Sequence, residues 1–81
     1  IHIYEGKKDK TQIQDIYQLK MYWDGLVVDG INPKKGILIS AEHPQTVKDL
    51  LGMMNDFRDQ KGNKYNFICL TWKDEDVNYP V

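Results

Sequence analysis

The chain has 81 residues, 41% of them hydrophobic and 28% charged, with a formal net charge of -1 and a pI near 6.1. That length suits one small domain with a modest core, and the balanced charge excludes the global basic footprint of most nucleic-acid binders, so any DNA contact must rest on local charge. No apolar run approaches the roughly 18 residues of a membrane span and no basic-then-apolar leader is present, while a single cysteine, Cys69, excludes an internal disulfide and a zinc cluster and suits an intracellular, cytoplasmic location. The first residue is Ile1, not methionine, and the chain is read as a possible fragment lacking upstream strands.

Ile1 to Glu5 is rich in β-branched and aromatic residues and predicts a first strand. Gly6 to Lys10 is a polar loop. Thr11 is the expected cap of a helix running to about Asp29, with Gly30 placed to stop it and Pro33 shortly beyond. Ile16, Leu19, Trp23, Leu26 and Val27 fall on one broad arc of that helix. Ile13, Tyr17 and Met21 add apolar surface elsewhere, which predicts a helix wrapped on several sides.

Gly36 to Ser40 is a continuous apolar run of strand length, as in a central parallel strand covered on both faces. Pro44 suits a first helical position, with Glu42 as a capping residue and His43 at the helix start, and Val47, Leu50, Leu51, Met54 and Phe57 then repeat at helical spacing. Gln60 to Lys64 breaks this second helix, and Tyr65 to Trp72 reads as a third strand before a tail that holds the solvated acidic run Asp74-Glu75-Asp76. Cys69, within Phe67 to Leu70, reads as a small buried hydrophobe.

The order is βαβαβ, which predicts a single α/β domain over residues 1–81 with a mainly parallel three-stranded sheet and crossover helices. Sites in open α/β sheets gather at the carboxyl ends of the strands, where Glu5 and Lys7 sit. Both sheet edges and one sheet face are expected to be exposed, and an exposed edge makes a homodimer plausible.

Glu5 and Lys7, two apart on a strand, point to the same side of the sheet, and Gln18 and Tyr22, four apart on a helix, share a face. In this order and spacing, Glu5-Gly6-Lys7 and Gln18-Leu19-Lys20-Met21-Tyr22 resemble the Glu-x-Lys and Gln-x-x-x-Tyr elements of the PD-(D/E)XK nuclease superfamily. The resemblance covers roughly the first half of the chain in motif terms. It implies the second half of a restriction-endonuclease-like core and metal-dependent hydrolysis of DNA phosphodiesters. The family's motif also has an Asp on a strand before the Glu-x-Lys strand, and no residue precedes Ile1, so the chain by itself is expected to be inactive.

The resemblance assigns Glu5 and the main-chain carbonyl of Gly6 to Mg²⁺ or Mn²⁺. It assigns Lys7 to the attacking water or the phosphate, and Gln18 and Tyr22 to positioning. Lys8 and Lys10 are the candidates for touching the DNA backbone. Lysines in loops also serve solubility alone, and Glu5 with Lys7 can be read as a surface ion pair, with Tyr22 packing and Gln18 facing water. The alternative function is therefore a non-catalytic α/β interaction or oligomerisation module. The helix from Thr11 to Asp29 and the segment from Asn63 to Phe67 are also similar to the C-terminal region of bacterial multidomain ATP-binding proteins.

Overall fold

The computed structural model describes residues 1–73; the acidic run Asp74-Glu75-Asp76 lies outside the described residues. Its elements are β1 (His2–Gly6), α1 (Ile13–Val28), β2 (Lys35–Ser40), α2 (Gln45–Met54) and β3 (Phe67–Thr71). All three strands are parallel, in the order β1-β2-β3, so the chain is an α/β protein of βαβαβ order. His2 lies opposite Lys35 and Gly6 opposite Ile39, while Gly36 lies opposite Phe67 and Ser40 opposite Thr71.

The start of α1 differs from expectation. Gln12, not Thr11, is the N-cap, and the Asp15 carboxylate accepts the Gln12 backbone N–H at 2.7 Å. Thr11 is held elsewhere: its N–H donates to the Glu42 carbonyl and its buried hydroxyl is hydrogen-bonded to His43 Nδ1 at 2.9 Å. At the other end Gly30 takes a φ of +85°, Ile31 N–H reaches the Leu26 carbonyl and Gly30 N–H the Val27 carbonyl. These two bonds form a Schellman stop, for which glycine is the favoured residue.

Pro44 is the N-cap of α2 rather than its first helical residue. Phe57 lies beyond the helix and is exposed, because the chain turns at Asn55 to enter β3. The Asn55 side chain donates to the Phe67 carbonyl and accepts the Phe67 N–H.

One core joins both helices to one face of the sheet: Ile16, Leu19, Trp23 and Val27 from α1, Val47, Leu51 and Met54 from α2, and Leu38, Tyr65 and Phe67. The Trp23 and Phe67 rings meet edge-on with centroids 5.4 Å apart, a favoured aromatic arrangement. The outward face of α1 is not wrapped: Ile13, Tyr17 and Met21 are 46%, 50% and 71% exposed. The helix-free face of the sheet is not bare at its centre, since Ile37 and Ile39 are buried there. No described helix is long and apolar enough to cross a membrane.

Candidate site at the carboxyl end of the first strand

Ile3 packs against the core beneath α1, and Lys7, just past β1, reaches up to α1 with its Nζ 3.3 Å from Asp15 Oδ1. Strand alternation places Glu5 between them on the same side. Glu5 is half-buried, and its carboxylate makes no hydrogen bond or ion pair among the described residues. Glu5 on β1 and Lys7 just past it therefore face the helix side together, one paired and one not.

The flanks of α1 are fixed by what they touch. Asp15 meets Lys7 beside β1, whereas Asp24 accepts the Tyr65 hydroxyl and the Lys20 ammonium near the start of β3. Gln18 and Tyr22 follow Asp15 at i+3 and i+7, so they lie on the β1 flank. Gln18 Nε2 donates to the Tyr22 hydroxyl at 3.1 Å on the exposed surface. The structure thus joins Gln18 to Tyr22 and Lys7 to Asp15, and among the described residues no hydrogen bond links the two pairs.

Gly6 is set by its main chain. The Lys7 N–H donates to the Ile39 carbonyl at 2.9 Å, toward β2. In a trans peptide the carbonyl points opposite to the N–H, so the Gly6 oxygen faces the outer edge of β1. On the helix-free side the Trp72 indole lies across Gly6, where an added Cβ would stand 3.3 Å from the ring, and Trp72 Nε1 donates to the Lys7 carbonyl at 2.8 Å. This indole bridges β3 to the end of β1 over β2.

Lys8 and Lys10 are exposed on the loop that follows. That loop is strapped to the chain beyond β2: Glu42 N–H donates to the Asp9 carbonyl and Thr11 N–H to the Glu42 carbonyl. Glu42 joins through its main chain, and the expected capping role for its side chain is not among the hydrogen bonds of the described residues. His43 is buried and hydrogen-bonds Thr11 on one ring nitrogen and the Leu70 carbonyl on the other. Ser40 is buried and donates to the Glu42 carbonyl. Lys34 and Lys35 stand at the amino end of β2, so these two lie at the opposite end of the sheet from Lys7, Lys8 and Lys10.

No protein-family model, no curated protein and no solved structure matches the chain. What the site can do must be read from its own chemistry. The Glu5 carboxylate and the Gly6 carbonyl are hard oxygen donors, the type that Mg²⁺ takes alongside water and phosphate. Among the described residues no three His, Cys, Asp or Glu side chains converge in a group that could hold a metal ion.

Sequence reasoning missed Asp15, whose signal was an acid in the first turn of a helix. It also missed Asp59, for which no local signal existed. Asp59 is buried near the opposite end of the sheet and accepts hydrogen bonds from Trp23 Nε1 and the Lys61 and Asn63 amides. Burial pushes its carboxyl up, but those bonds and the Lys61 charge outweigh that and hold it below the usual value of 3.8. Burial likewise raises the Cys69 thiol, in keeping with an inert half-buried cysteine.

Proposed function

We propose that the chain is the C-terminal part of a metal-dependent DNA nuclease of PD-(D/E)XK type, inactive by itself. The observation that carries this reading is the shared orientation of Glu5 and Lys7 at the carboxyl end of β1, with Gln18 and Tyr22 on the neighbouring flank of α1. The Asp that the resemblance requires belongs on a strand beside β1. β2 occupies one side of β1, and the Gly6 carbonyl faces the other.

Glu5 and the Gly6 carbonyl would hold Mg²⁺ or Mn²⁺, which when bound activates water and offsets charge on the phosphate. Lys7 orients the attacking water or neutralises a phosphate oxygen through its ammonium. Gln18 and Tyr22 hold the strand by hydrogen bonds, and Lys8 and Lys10 give the local positive charge that draws the DNA backbone. A cytoplasmic location suits this role.

A second reading, a non-catalytic interaction or oligomerisation module, is favoured by the exposed apolar stripe Ile13, Tyr17 and Met21. It includes a homodimer through the outer edge of β1.

DNA cleavage by the full-length natural protein with Mg²⁺ separates the two. Lys7→Ala and Glu5→Gln should each lower cleavage by at least about 100-fold with the fold retained, as for loss of a group that stabilises transition-state charge. Unchanged cleavage in both variants would sink the nuclease reading. On this chain, Mg²⁺ should selectively shift the backbone signals of Glu5, Gly6 and Lys7, and Glu5→Gln should abolish those shifts.

A further inference from the structure

We infer that Asp15 is a positioning residue for Lys7: it anchors the ammonium at the carboxyl end of β1, on the side that Glu5 faces. The inference rests on the nuclease reading for what Lys7 does, but not for where Lys7 is held. Asp15 has a side chain only 2% exposed, while that of Lys7 is 41% exposed. A carboxylate so deeply buried needs its charge compensated, whereas a lysine in that setting can remain in water at no cost. The pairing therefore constrains the lysine.

Each carboxylate oxygen has a separate task. Oδ2 accepts the Gln12 N–H at the start of α1, and Oδ1 forms the ion pair with Lys7 Nζ. The hydrogen bond ties the carboxylate to the rigid end of a helix, so the ion pair transmits that rigidity to a flexible side chain. The Lys7 side chain is exposed enough for its ammonium N–H donors to meet a phosphate oxygen or a water beside that ion pair. Lys8, next in the chain and exposed, makes no such ion pair among the described residues, so local sequence alone does not hold Lys7.

A merely structural Asp15 would cap α1 and nothing more. Two measurements distinguish this. The first is the side-chain ammonium NMR signal of Lys7 in the metal-free protein, read without DNA. It should be resolved and slow to exchange beside those of Lys8 and Lys10, retained in Asp15→Glu and lost in Asp15→Asn, whose amide oxygen can still accept the Gln12 N–H. A Lys7 signal in the unaltered protein as averaged as that of Lys8, or one unchanged by Asp15→Asn, would overturn the inference, the former even if no variant folds.

The second is a double-mutant cycle on DNA cleavage by the full-length protein. Asp15→Asn should lower kcat about tenfold with KM within about twofold, and cost nothing further in the Lys7→Ala background, the sign of two residues acting as one unit. Equal losses in both backgrounds would overturn the inference and leave Asp15 a cap. If the unaltered protein cleaves no DNA, the nuclease reading fails separately, and the Lys7 signal alone decides the role of Asp15.

Discussion

Asp59 shows how much one side chain can organise. Its carboxylate gathers the Trp23 indole and two loop amides, and so ties the core of α1 to the turn before β3. Because its folded carboxyl lies below the usual value, the stability it contributes is fully present above that value and is lost as pH falls through the lower folded one. Asp59→Asn should therefore cost roughly 2–3 kcal/mol at neutral pH, the size expected when charged hydrogen bonds in a buried site are weakened. Its stability should also fall less steeply than that of the unaltered protein below about pH 4. Urea unfolding at pH 7 and across the acid range measures both.

Gly36 is a second decisive residue. A Cβ there would stand 2.6 Å from a ring carbon of Phe67, which is itself locked among Trp23 and Tyr65. Gly36→Ala should destabilise by about 1–3 kcal/mol, the usual range for overpacking, as read from the shift of the urea midpoint.

At the scale of elements, α1 and its stop hold two glycines with opposite expectations. Gly25 lies within the helix with open space around its Cβ position, whereas Gly30 sits in the left-handed conformation of the stop. Gly25→Ala should raise stability by roughly 0.5–1 kcal/mol through helix propensity, and Gly30→Ala should lower it by about 1 kcal/mol. Thermal melting of the two variants should move the midpoint in opposite directions.

The elements were also the most legible part of the fold. The repeat of Ile16, Leu19, Trp23 and Val27 marked the buried face of α1, with Leu26 of the same expected arc only half-buried, and the run Ile37-Leu38-Ile39 marked the central strand. Phe57 and Thr11 were misplaced because apolar spacing and capping chemistry are blind to distant partners. The Phe67 backbone pulled Asn55 out of the helix pattern, and the straps to Glu42 and His43 took Thr11 from the cap.

For the whole molecule, the parallel sheet leaves its strand ends to be joined by side chains and loops. Trp72 does this across the helix-free face by reaching the Lys7 carbonyl. Trp72→Ala should loosen the carboxyl end of β1, seen as faster amide exchange at Gly6 and Lys7 than at the core residue Leu38. An opening free energy smaller by about 1–2 kcal/mol is expected for a lost part-buried hydrogen bond and indole contact. Equal exchange at Gly6 and Lys7 in both proteins would mean that the β1–β2 ladder alone holds that end.

The sequence by itself determined the element order, the buried arc of α1, and the shared side of Glu5 and Lys7. These depend on periods of two residues in a strand and 3.6 in a helix, which neighbours along the chain impose. Only the tertiary structure decided that Lys7 meets Asp15, that Gly6 turns its carbonyl to the sheet edge beneath an indole, and that His43 and Asp59 are structural. The bonds from His43 to Thr11, Trp23 to Asp59 and Trp72 to Lys7 span 32, 36 and 65 positions of chain. Such pairs are set by strand register and by the path of each crossover, which no local period encodes.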